Sequence, residues 1–145
     1  MSKLQEYFQE KFALLYKSVF TKDDLTIEQG IVGFRYLPKN ESEYEVILEV
    51  YEDAFMLFCG GWHDYVQKDE SDSDEEFSDF IIDKLRIIFS GRTTLKIYYA
   101  GKTPYRWELL SEKPEDKISS LNVTLLFFYN YFARKTAAEK RINLI

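Results

Sequence analysis

From Tyr44 to Tyr51 the chain alternates without a break. Tyr44, Val46, Leu48 and Val50 fall on one side, and Glu45, Ile47 and Glu49 on the other. A period of two places successive side chains on opposite faces of an extended strand. One face is therefore core and the other is half-wet, the mark of an antiparallel sheet covered on one side. Ala54 to Trp62 follows after the short turn Glu52-Asp53 and is apolar on both faces, so it reads as an interior strand. Ile27 to Tyr36 precedes the pair and reads as a strand weakened by Gly30 and Gly33, where an interior glycine suggests a bulge or a close backbone approach. Leu37-Pro38-Lys39-Asn40-Glu41 is a turn. The three strands are expected to form an antiparallel meander.

Helical spacing flanks the meander. Ser2 to Phe20 reads as a helix, with Ser2-x-x-Gln5 as its capping box and Leu4, Phe8, Phe12, Leu15 and Val19 along one face. Ser73-x-x-Glu76 is a second capping box. It opens a helix whose buried stripe is Phe77, Phe80, Ile81, Leu85 and Ile88, and Gly91 is suited to close it in a left-handed cap. Between them, His63 to Ser71 reads as a polar loop. Thr93 to Tyr99 and Tyr105 to Leu110 then form a hairpin. In it Leu95, Ile97 and Tyr99 face Tyr105, Trp107 and Leu109, and Lys96 and Arg106 lie on a solvated side with Trp107 buried. Val123 to Tyr131 is assigned as a strand, although Leu121, Leu125, Phe128 and Phe132 also fit a helix. The basic tail from Ala133 is assigned as a short helix or a frayed end. The expectation is a single α+β domain over residues 1–145, built as one antiparallel sheet of about six strands with two helices, in the order α-β-β-β-α-β-β-β.

A chain of 145 residues buries roughly 68–70% of its unfolded surface, enough for a core without staples. One cysteine, Cys59, excludes an internal disulfide. The start, Met1 to Glu6, lacks the apolar run of a signal peptide, and no stretch reaches the roughly 18 apolar residues of a membrane span. The expected location is the cytoplasm, with no membrane partner. The net charge of -6 opposes binding to a phosphate backbone and favours a basic protein partner.

Catalytic equipment is sparse. His63 is the only histidine, at the end of Cys59-Gly60-Gly61-Trp62-His63-Asp64. Asp64, next along an extended chain, points to the opposite side, and Cys59 is about 13 Å back along a strand. A catalytic His63, or a ligand approaching the bare backbone of Gly60-Gly61 beside Trp62, defines the enzyme or ligand-binding alternative. One histidine and one cysteine cannot supply a usual zinc site, and no phosphate loop or GxSxG element is present. No catalytic set, metal or cofactor is assigned. The stronger feature is acidic: nine carboxylates against one lysine between Asp64 and Asp83. No register of this run places glycine sixth and glutamate twelfth, as a calcium loop needs. Asp69, Asp72 and Asp74, with Trp62 and His63, are the candidate binding residues for a basic partner. The aromatic run Phe127 to Phe132, apolar on both faces, is a candidate surface for self-association.

The stretch Phe58 to Asp64, with the acidic helix start behind it and Tyr105-Arg106-Trp107-Glu108-Leu109, resembles small bacterial proteins that share a Gly-Gly-Trp-His strand end. Some of these resemble the immunity proteins of toxin–immunity pairs. The likeness spans about residues 44–110. That pattern carries a second histidine two residues after the first, where this chain has Tyr65. The resemblance carries no established activity and assigns a role to no individual residue. The expectation of a non-enzymatic, protein-binding domain, of the immunity-inhibitor type, rests on the negative charge, the 17% aromatic content and the missing catalytic sets.

Overall fold

The computed structural model describes residues 1–15, 19–112, 123–125 and 133–144. The fold is α+β, with two α-helices and antiparallel sheets. Helix α1 (Lys3–Leu15) leads into a 3-10 turn at Lys22–Asp24 and five strands: β1 (Leu25–Glu28), β2 (Ile31–Tyr36), β3 (Val46–Val50), β4 (Ala54–Cys59) and β5 (Trp62–Gln67). Helix α2 (Asp74–Phe89) follows, then β6 (Ser90–Ala100), β7 (Thr103–Ser111), β8 (Val123–Leu125) and β9 (Lys135–Asn143).

The single six-stranded sheet expected from the sequence is replaced by two sheets. One is a five-stranded meander in the order β1-β2-β3-β4-β5; the other is four-stranded, in the order β8-β7-β6-β9. Two glycine turns account for two of the three extra strands, and the tail supplies the third, β9. At Gln29-Gly30 both residues have positive φ, +51° and +77°, as a two-residue type I′ hairpin turn requires. The expected strand from Ile27 to Tyr36 is thus two strands. Gly60 likewise takes a positive φ of +59° and reverses the chain before Trp62. The polar segment from His63 is consequently strand β5 rather than a loop.

The meander's inner face carries Val32, Phe34, Val46, Leu48, Leu57 and Cys59, all buried. Both helices cover it. Phe12 of α1 meets Phe34 at 5.0 Å between ring centroids. Helix α2 meets Phe55 of β4 through Phe77 at 5.6 Å, and Tyr36 of β2 through Phe89 at 5.2 Å. Both capping boxes form as expected. Ser2 and Gln5 exchange hydrogen bonds, and so do Ser73 and Glu76. Gln5 is itself buried and donates to the carbonyls of Gly30 and Val50 at 2.7 and 3.0 Å, pinning the start of α1 to the sheet. The stripe Phe77, Ile81, Leu85 and Ile88 is buried, with Phe80 half-buried. The α1 stripe holds through Phe12, with Leu15 half-buried against the core. Val19 is exposed, and Phe20 enters the core in its place, against Phe34 and Phe89.

The second sheet meets the first through side chains rather than a backbone ladder. Leu95 fills the space over Gly60, and the Trp107 indole fills the space over Gly61. One continuous core includes Leu95, Leu109 and Ile142 together with the meander. The Leu95–Leu109 and Ile97–Trp107 pairs of the hairpin form as expected, but a bulge at Tyr98/Tyr99 places Tyr99 opposite Pro104. Its polar side is not freely solvated. Lys96 and Arg106 both lie over the Tyr98 ring, and Trp107 is half-buried. The tail from residue 135 is neither helix nor frayed. It forms β9 on the free side of β6, with Ile142 fully buried. Its Ala, Lys and Glu content favours a helix locally, and pairing with an open strand edge overrides that weak preference. The strand expected over Val123 to Tyr131 appears as β8 at its start. The rest of that stretch, with the aromatic run of residues 127–132, lies outside the described residues. No helix among the described residues is long and apolar enough to cross a membrane.

Candidate functional site

The residues around the lone histidine diverge. His63 is exposed on the outer face of β5, its ring 6.0 Å from that of Phe58. Asp64 points to the inner side and is half-buried. Cys59 is fully buried on the inner face, where it pairs with Trp62. Burial pushes the Cys59 thiol well up, against a smaller opposing effect of Lys84. Burial lowers Lys84 in turn, and Asp64 and Cys59 partly offset this. The thiol is thus an inert core group. Trp62 is 3% exposed, which corrects its assignment as a binding residue: it is part of the core. Gly60-Gly61 makes its close approach to this protein's own side chains. A Cβ added at Gly61 would lie 2.5 Å from Trp107 Nε1, so no room remains there for a ligand.

The acidic residues converge instead. Asp69 accepts hydrogen bonds from the Ser71 backbone and side chain, and these hold its carboxyl below the usual range. The Asp72 amide donates to the Asp69 carbonyl, closing a turn that delivers Ser73 as the N-cap of α2. Asp74, Glu75 and Glu76 then occupy the first helical turn, where the helix dipole favours anions. Some of this charge is answered. Lys68 pairs with Asp74 at 3.6 Å, Lys11 with Asp79 at 2.6 Å and Glu75 at 3.8 Å, and Arg86 with Asp83 at 2.6 Å. Among the described residues no cation forms an ion pair with Asp69, Glu70, Asp72 or Glu76. Asp69, Asp72 and Asp74 therefore share one surface at the start of α2, and His63 is not part of it.

Beside that surface lies a notch of about 230 Å³ between β5 and α2. Val66, Phe77 and Phe80 form its apolar wall, and Asp72 and Glu76 stand at its rim. Sequence reasoning misses it because the polar composition of the segment from His63 reads as loop. The signal was the alternation of Trp62, Asp64 and Val66 with His63, Tyr65 and Gln67, which places Val66 on the helix side. An apolar notch rimmed by two carboxylates suits a long cationic side chain, whose stem packs while its charged end stays near the rim. Among the described residues no three His, Cys, Asp or Glu side chains group so as to hold a metal ion. No protein-family model matches the chain, and neither does any curated protein or solved structure.

Proposed function

We propose that this chain is a non-enzymatic protein-binding domain that docks a basic partner on the acidic start of α2, in the manner of an immunity-type inhibitor. The observation that carries this reading is the notch of Val66, Phe77 and Phe80 under the carboxylates of Asp72 and Glu76. It adds an apolar anchor point to a charged surface, and tight interfaces centre on such anchors. The unpaired carboxylates around it supply the long-range attraction that speeds association. The ligand-binding alternative at His63 loses ground because Leu95 and Trp107 fill the space over the two glycines. We read the domain as cytoplasmic, in keeping with its lone reduced cysteine.

The test is capture from native lysate with the wild-type chain and with a variant carrying Asp69→Asn, Asp72→Asn and Asp74→Asn. The wild type is expected to retain a basic protein at low salt and to associate with it more slowly as salt rises, because surface charges are screened beyond about 8 Å at physiological ionic strength. The triple variant is expected to slow association further. A partner captured equally well by the triple variant, at an unchanged association rate in low salt, would sink the proposal.

A further inference from the structure

A second acidic recess lies at the far end of the meander, on the outer face that neither helix covers. Strand β1 is the last strand of its sheet. It pairs with β2, and among the described residues no strand pairs its other side. Native edges are usually blunted by lysine, proline or a bulge. Leu25-Thr26-Ile27-Glu28 is short and carries one charge, Glu28, but has none of these three, and Ile27 is 56% exposed.

Next to this edge a groove of about 510 Å³ crosses β1, β2 and β3. Its origin is in the register. Thr26, Gly33 and Glu49 stand in one outer row, where Gly33 has no side chain and only the movable Thr26 hydroxyl leans over it. Ile31 and Ile47 supply apolar lining, and Asp24, Glu28 and Glu49 supply carboxylates. The one cation lining the groove, Arg35, is engaged by Glu45 at 2.6 Å. The groove therefore keeps a negative field.

We propose that this edge and groove form a second docking surface, which takes an extended basic segment of a partner protein by strand addition to β1. The face pattern specifies the segment. A strand laid along β1 alternates its side chains between the two faces. On the outer face they run beside Thr26, Glu28 and the anionic groove, which selects Lys or Arg. On the other face they run beside exposed Ile27, which selects an apolar residue. An alternating cationic–apolar segment satisfies both. A second copy of this chain fits less well, because it would bring a second acidic groove beside the first.

The probe is a short capped peptide, Lys-Val-Lys-Val-Lys-Val, titrated into the isotope-labelled chain while backbone amide resonances are followed. Its counterpart Glu-Val-Glu-Val-Glu-Val is run alongside. The expected result is that the lysine peptide moves the β1 and β2 amides. Binding should weaken about fivefold on Glu28→Gln with Glu49→Gln, the loss expected for two modest surface charge contacts. Glu28→Gln alone, at an exposed residue, keeps the test readable should the double variant fold poorly. The Asp69→Asn, Asp72→Asn, Asp74→Asn variant should bind the peptide at β1 unchanged, which separates this surface from the one at α2. Shifts confined to residues 69–76, equal binding of the glutamate peptide, no binding, or self-association through β1 without peptide would each overturn the proposal.

Discussion

The two faces of the meander differ by one residue of register and in almost everything else. On β3, Val46, Leu48 and Val50 are at most 1% exposed, while their neighbours Ile47 and Glu49 are only half-buried. Apart from Asp64 the inner face is apolar, and two helices cover most of it. The outer face mixes Ile31, Ile47, Met56 and Phe58 with Glu49, His63 and Tyr65. A strand satisfies the core with half of its residues, and the other half remains free to carry a surface. If the inner face does the folding and the outer face carries a surface, substitutions on the two should separate cleanly.

The sharpest test uses adjacent residues. Leu48→Ala should cost about 2–5 kcal/mol, the range for truncating a buried leucine. Ile47→Ala, one position along the same strand, should cost less than about 1 kcal/mol, close to ordinary surface changes. Urea unfolding of both variants gives the comparison. If Ile47→Ala proved as costly as Leu48→Ala, the outer face would be a covered face, and the docking surface proposed at β1–β3 would fall with it.

A pair of glycines repeats the contrast with a smaller expected effect. Gly61→Ala would drive a methyl group into the Trp107 ring, which is held between the two sheets. Overpacking of that kind costs about 1–3 kcal/mol. Gly33→Ala on the outer face would meet Thr26 Oγ1 at 2.8 Å, the movable end of an exposed side chain. Its cost should stay below about 1 kcal/mol. Near-ultraviolet circular dichroism, which reports the tryptophan environment, should change for Gly61→Ala and not for Gly33→Ala. Equal costs would mean that Trp107 can yield as easily as a surface threonine.

This contrast also explains how far the sequence was legible. Periodicity reads burial, so the inner rows of β3 and β4, the stripe of α2 and both capping boxes were legible residue by residue. Local pattern says little about what a strand edge meets. Gly60-Gly61 looked like a strand interior because Trp62 continues the apolar run, and only the filling of both glycines from β6 and β7 makes the turn compact. The β9 strand rests on one buried residue, Ile142, amid exposed charges, so its pairing comes from β6 and not from its own sequence. At the candidate site the acidic residues were visible as a run. The notch beside them was not, because it requires Val66 of β5 and Phe80 of α2 to meet. The outer groove exists only through the pairing of Gly33 with Thr26 and Glu49.

The smallest expected effect separates tyrosines by depth and appears only in alkali. Tyr36 is in the core and donates to Glu43 at 2.9 Å. Burial first, then that hydrogen bond and the Glu43 charge, push it from 10.0 to about 12. Burial pushes buried Tyr44 well up, and Cys59 also. Half-buried Tyr51 is raised as well, by burial and then by Glu49. In each case the folded chain holds its proton where the unfolded chain releases it. The unfolded state then binds fewer protons, so stability falls as pH rises. For Tyr36 the contribution is complete below about pH 10, erodes above it, and is gone once pH passes about 12. Urea midpoints should therefore hold steady near neutral pH and decline above roughly pH 9–10. Tyr36→Phe should flatten that decline more than Tyr51→Phe does, because Tyr36 is buried and its carboxylate partner is held beside it. Glu43→Gln removes the second and third causes of the Tyr36 shift and should flatten the decline in part. A decline that Tyr36→Phe leaves untouched would place the alkaline sensitivity elsewhere and break the link between burial and titration on this sheet.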